Sequence, residues 1–422
     1  MRVRCSTAAV LLSACAGRSA APVVEREADP VEAVVRPARV AWALTWRGQA
    51  IGGAWERDTA EHFERRERIV VRRGDDVVIS DLAITIERDD QGAPYQVGVT
   101  RWQDGPVLDG TAMRSVDGGW LVEIEGEQPA ALPAAAPFEL VLREGREFHG
   151  DVLLAGWGFA TAHLDLSPSA GDPQDRTARL FVGGRRLEAT VTYDADGAVA
   201  AVVGGDGITA TRAAFDADLR PAQPPEVVDG NAITVDTRGA AGRAHTLALL
   251  DATAPPPPAL PGQRPLSGQP TWVVALDPVA PGALAPELRT RDRSDEVAAL
   301  VHRVSREIAD DLASTATTTG AALTATHGDC TTHALRFAAL ADEAGITARV
   351  VTGLRLDDGV LVRHRWNVAW TGSRWVTIDP TFDEAPATPA LVGLAVHGAR
   401  AADLAAADAT VFDGLGTRAE LR

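Results

Sequence analysis

GDCTTHALRFAALADEAGITARVVTGLRLDDGVLVRHRWNVAWTGSRWVTIDPT, residues 328–381, decides how the rest of the chain is read. It offers a thiol, an imidazole and a carboxylate in one order. Cys330 precedes a helical pattern, His364 opens a strand, and Asp379 closes the next strand. Nucleophilic acyl-transfer sites are built from these parts. Taken singly, each has a duller reading: a buried cysteine is usually structural, and Asp before Pro usually forms a turn. Order and strand parity carry the argument.

From Thr331 the sequence loses its breakers, and Leu335, Ala338, Ala339 and Leu340 give an apolar stripe at helical spacing. Asp329 is placed as the N-cap and Gly345 just past the end. Cys330 then sits in the first turn, where unpaired N–H groups and the helix dipole favour a thiolate. The same N–H groups could hold an oxyanion. His327 and His333 lie three residues either side of Cys330, but no fourth ligand accompanies them. The reading is therefore no metal, with His333 on the helix surface.

After Gly359, the residues His364, Trp366, Val368 and Trp370 share one strand face, and Arg365, Asn367 and Ala369 the other. Thr371-Gly372-Ser373-Arg374 reads as a hairpin connection, with Trp375–Asp379 as the return strand. If Gly372 and Ser373 form the turn, Asp379 faces Trp366. His364 and Asp379 are then diagonal neighbours on one face, roughly 7–8 Å apart at the backbone. A one-residue change in the loop would separate them. Trp366 and Trp370 are candidates for a cleft wall, although aromatic residues on hairpin strands are more often core.

At these residues the stretch resembles the transglutaminase-like superfamily, whose pattern is roughly G-x-C at a helix start, a G-I-P-A-R-like strand entry, H-x-W, and D-P-T. The corresponding residues are Gly328-Asp329-Cys330, Gly345-Ile346-Thr347-Ala348-Arg349, His364-Arg365-Trp366 and Asp379-Pro380-Thr381. The resemblance implies Cys330 as nucleophile, His364 as general base and then acid, and Asp379 as the group orienting His364. Thr347 stands where the family has proline, and Arg365 where it has a small residue. Arg365 should point away from the chemistry, on the strand face opposite His364. Thr324-Ala325-Thr326 supplies no obvious oxyanion-hole donor.

The chain has 422 residues, enough for two or three domains. Its formal charge of −17 argues against nucleic acid and against direct binding to anionic lipid. All 41 basic residues are Arg, so a cross-linking enzyme of this sequence could not use its own lysines. Met1-Arg2-Val3-Arg4 and the apolar Cys5–Leu12 form a short export signal. Leu12-Ser13-Ala14-Cys15 resembles the bacterial lipobox, which implies cleavage before Cys15 and lipid upon it. Cys5 leaves with the signal, so Cys330 is expected to be the single free thiol of the mature chain.

These readings give a signal peptide over 1–14, a flexible tether over 15–38, an antiparallel β region over 39–252, a Pro-rich linker over 253–270 and a catalytic domain over 271–422. In the β region Leu82-Ile84-Ile86, Trp120-Val122-Ile124 and Leu187-Ala189-Val191-Tyr193 alternate with more polar residues. Tight turns such as Gly183-Gly184 separate such runs, as in a sandwich, half-barrel or pair of β modules. Ser294 can cap a helix that aligns Val297, Leu300, Val301, Val304, Ile308 and Leu312, and Thr315–Thr326 reads as a substrate-side loop. Leu391–Val396 reads as a last strand and Ala399–Ala407 as a short helix.

The expected fold class is α+β, a papain-like transglutaminase core at the C-terminus behind an antiparallel all-β region. The expected protein is an exported enzyme, lipid-anchored in the bacterial envelope at the periplasmic face of the outer membrane. It would act on a peptide or protein substrate through a thioester on Cys330, with hydrolysis favoured. Protein cross-linking and a non-catalytic envelope binding or assembly module are the alternatives. No cofactor is implied.

Overall fold

The computed structural model describes residues 39–103, 106–205, 207–214, 221–227, 231–236, 245–250, 252, 256–267, 272–388, 390–412 and 414–421. Cys15, the signal segment and the tether lie outside the described residues. Among those described, no helix is long and apolar enough to cross a membrane.

Two large sheets organise the molecule. The first has fifteen strands between Arg39 and Ala213 and runs as a meander from Ala130–Leu132 at one edge to Ala136–Pro137 at the other. All its neighbours are antiparallel except Ala136–Pro137, which pairs in parallel with Phe148–Leu154. The first strand, Arg39–Trp46, lies in the middle, between Gln49–Asp58 and Ile208–Ala213. Its two edge strands are joined by residues 133–135 alone, so they end within about 14 Å of each other at full chain extension. The sheet therefore curls almost into a barrel. The alternating runs sit as expected: Trp120–Ile124 buries every second residue, and Leu187, Ala189, Val191 and Tyr193 face the core. Gly183 and Gly184 both have positive φ, which suits a two-residue hairpin turn.

The second sheet has nine strands and a different membership from the one the sequence suggests. Ile233–Asp236 and His245–Leu250, assigned above to the β region, belong here: Ile233–Asp236 pairs with Val360–Trp370, and His245–Leu250 with Trp272–Pro281. The Pro-rich run is not simply a linker either. Pro261–Ser267 is the strand at one end of this sheet, and both ends of the Gln263 amide bond the backbone of Gly393. Proline is tolerated on an edge strand, so Pro261 and Pro265 do not preclude one.

Helices Ser294–Glu307 and Cys330–Glu343 pack on one face of this sheet through Val297, Val301, Val304, Phe337, Leu340 and Ala369. Ser294 is the first helical residue rather than the cap; Asp292 accepts hydrogen bonds from its N–H and hydroxyl. The Thr315–Thr326 stretch contains a short helix, Thr319–Thr324, capped by the Thr318 hydroxyl. Leu391–His397 and Ala401–Thr410 match the expected strand and helix, but a further strand, Arg418–Leu421, follows.

The two sheets share an extended contact. Arg73 and Gln103 of the first region donate to the carbonyls of Leu312 and Ala313. Glu127 accepts from the Ala401 N–H and pairs with Arg400. Gly320 N–H bonds to Gly126 O, and a Cβ on Gly320 would stand 2.4 Å from Gly126 Cα. Only two glycines permit that approach.

Candidate active site

The hairpin has the expected register: Trp370 faces Trp375, Val368 faces Thr377 and Asn367 faces Ile378. Ladder pairing ends there, and Asp379 turns into a bridge with Glu384. His364 Nε2 and Asp379 Oδ2 are 2.7 Å apart, and both residues are buried, at 1% and 0% exposure. The diagonal placement has become a direct contact.

Two aromatic rings hold the imidazole. Trp366 stacks on it with centroids 5.8 Å apart, and Phe382 meets it edge-on at 5.6 Å. Trp366 and Trp370 are 2% and 7% exposed and belong to a core cluster with Val351, Val368 and Trp375. They support the strand rather than line an open cleft. Phe382, by contrast, is 39% exposed, with the Arg355 guanidinium 3.7 Å above its ring. Arg355 also pairs with Asp379 at 2.9 Å and with Glu384 at 3.2 Å. Sequence reasoning missed both residues, although Phe382 directly follows the D-P-T motif.

Cys330 is the first residue of its helix and fully buried. Asp329 caps this helix as expected, accepting from Thr331 N and Thr332 N at 3.0 and 3.2 Å. His333 N reaches Asp329 O. Those three N–H groups are therefore occupied, which removes most of the first turn as an oxyanion cradle. Asp329 also accepts from Thr315 and lies 3.6 Å from the buried Arg73 guanidinium. The cap is thus tied to the first sheet.

In this structure Cys330 is disulfide-bonded. This differs from the expected single free thiol.

Arg365 lies on the strand face opposite His364, as expected, and that face meets the Cys330 helix. Its Nη1 donates to Thr331 Oγ1 at 3.0 Å, its Nε to Thr352 Oγ1 at 3.0 Å, and its Nη2 pairs with Asp408. Asn367, two residues on, donates to Ala334 O of the same helix. The Cys330 helix and the His364 strand are thereby joined through residues adjacent to Cys330 and His364.

His333 is buried rather than on the surface, its Nδ1 near Asp329 O and its Nε2 3.7 Å from Asp310. His327 is exposed beside the Thr326 hydroxyl. Among the described residues, no group of three or more His, Cys, Asp or Glu is arranged to hold a metal.

Residues 283–380 match the family model of the transglutaminase-like superfamily. No curated protein matches the chain. Among solved structures, that of a "Putative Cysteine Protease from Cytophaga hutchinsonii" is similar at 16% identity. The similarity covers 45% of this chain and 82% of that one, with a TM-score of 0.24. The C-terminal part of this strand-rich chain thus carries a transglutaminase-like domain, and Cys330, His364 and Asp379 all lie within its limits.

Proposed function

We propose that the reduced protein is a cysteine acyl-transfer enzyme with a papain-like core. Cys330 is the nucleophile, His364 its base and then acid, and Asp379 the group that orients the imidazole. The buried 2.7 Å contact between His364 Nε2 and Asp379 Oδ2 carries this reading. With Nε2 held by the carboxylate, Nδ1 is the nitrogen that takes the thiol proton. The thiolate attacks a peptide or carboxamide carbonyl, and the proton returns to the departing amine or ammonia. Water then resolves the thioester to a carboxylic acid. Hydrolysis is favoured over transfer to an amine.

The test is intact-mass analysis of the protein, reduced and then treated with an activated acyl ester, beside Cys330→Ala and His364→Ala. One adduct that needs both residues is expected. An adduct that survives His364→Ala, or none on folded protein, would overturn the assignment. Ammonia release from Gln-peptides, with and without added amine, then separates hydrolase from cross-linker.

A non-catalytic envelope module is the second reading, favoured by the disulfide on Cys330. It requires an acyl-inert thiol after reduction. We also propose export and lipid anchoring through Cys15, which would bring the site to peptide or protein substrates in the periplasm. The signal and lipobox pattern of residues 1–15 supports this. Loss of the membrane-bound fraction in Cys15→Ala is the expected result.

A further inference from the structure

The curled fifteen-stranded sheet lines a cavity of about 360 Å³. That is the volume of roughly a dozen water molecules and within the range of small-ligand sites. Its wall is mostly apolar, with Trp42, Leu44, Ile84, Leu154, Leu180 and Val202 facing inward. Strand alternation places them there: Trp42 and Leu44 share one face of the first strand, and Ile84 lies on the inner face of Asp76–Arg88.

The charged groups in this wall are not all paired: buried Glu139, whose pKa burial raises to about 7, has no hydrogen-bond partner at Oε2. Arg65 is neutralised by Glu56 and Glu67, and Arg143 by Glu56 and Asp58. Arg101 differs. It is buried, its Nη2 donates to Gly156 O at 2.7 Å, and its Nε has no acceptor. Among the described residues no carboxylate pairs with it; Glu67 and Asp408 act on it only through space. The Trp42 indole N–H, also in the wall, likewise lacks an acceptor. A buried cation without a direct ion-pair partner and an orphaned donor are costly unless a ligand completes them. Arg212, also in the lining, is exposed and pairs with Asp194 at 2.7 Å.

We propose that this lumen binds a single-chain fatty carboxylate, its hydrocarbon chain against the apolar wall and its head on the Arg101 guanidinium. A carboxylate supplies the acceptor and the countercharge that Arg101 lacks, and a guanidinium matches it in planar geometry. Cys330 takes no part in this binding.

The experiment titrates the full chain with 11-(dansylamino)undecanoate and displaces the probe with dodecanoate or dodecanol. Saturable one-to-one binding is expected, with dodecanoate at least tenfold tighter than dodecanol. Arg101→Gln should reduce dodecanoate to the dodecanol level while leaving dodecanol unchanged. Ala210→Trp, which fills the lumen, should abolish both, and Cys330→Ala should change neither. Circular dichroism and melting temperature establish that each variant is folded. Absence of saturable binding to the wild type would overturn the site, as would undiminished binding to folded Ala210→Trp. Equal affinity for acid and alcohol would overturn the role of Arg101, and this comparison decides the point even if Arg101→Gln fails to fold.

Discussion

Asp379 serves two cationic or potentially cationic partners at once, His364 at 2.7 Å and Arg355 at 2.9 Å, while its other oxygen accepts from Thr381 N. Converting it to Asn keeps the shape and removes the charge that would stabilise an imidazolium. Asp379→Asn should slow acylation by the ester probe about a hundredfold or more, at little cost in expression. Arg355→Gln should act more mildly, about tenfold, because it affects only the carboxylate's position. His397 offers a pH-dependent test of the surrounding network. The Arg365 Nε donates to Thr352 Oγ1, the Thr352 hydroxyl to His397 Nε2, and His397 Nδ1–H to Gly398 O. That chain requires a neutral ring. Burial, reinforced by Arg365, lowers the His397 pKa from 6.5 to about 3. Above pH 6.5 the ring is neutral folded and unfolded and contributes nothing. As pH falls toward 3, the unfolded chain takes up a proton that the folded chain refuses. Stability should then fall by up to about 1.4 kcal/mol per pH unit, with the ring's partial exposure trimming that figure. Urea unfolding of wild type and His397→Asn at pH 7 and pH 5 should show a gap that shifts against the wild type on acidification.

At the scale of elements, much of the site was legible. Thr371-Gly372-Ser373-Arg374 fixes a two-residue turn, and with the period of two it dictates that His364 and Asp379 share a face. Asp329 before a breaker-free run announces the helix start. Less legible was what the opposite strand face meets. Alternation says that Arg365 points away from His364, but not that the Cys330 helix lies there, because helix-on-sheet packing is non-local. His333 was misplaced for the same reason: helical periodicity sets the angle of a side chain but not which angles are covered. Asp329 shows what the cap carries beyond its local role, since it also compensates the buried Arg73 guanidinium. Asp329→Ala should cost about 3 kcal/mol or more in urea unfolding, from the lost cap and the buried cation left unpaired. Asp329→Asn, which keeps an acceptor, should cost visibly less.

Across the whole molecule, the boundaries were the least legible feature. Strands Ile233–Asp236 and His245–Leu250 look like more of the β region because strand patterns do not say which sheet a strand joins. Partners such as Val360–Trp370 lie more than a hundred residues away. The joint between the regions is polar as well as apolar, with Arg73, Gln103 and Glu127 all bonded across it. Calorimetry should therefore show one main unfolding transition rather than two. A fragment beginning at residue 221 should be poorly folded, exposing both the helix cap and Ala401 to water. Two separate transitions, or a well-folded fragment, would show the regions to be independent.

The strand that begins the described chain also has a consequence for how the protein is made. Trp42 lies opposite Arg212, which is 212 − 42 = 170 residues later. On a ribosome adding about 5–20 residues per second, that strand waits roughly 10–30 s for its second neighbour. Closing so distant a pair is slow even for a free chain. Through that interval one edge of a growing sheet stays open, so the nascent protein should depend on a holding chaperone more heavily than the finished one does.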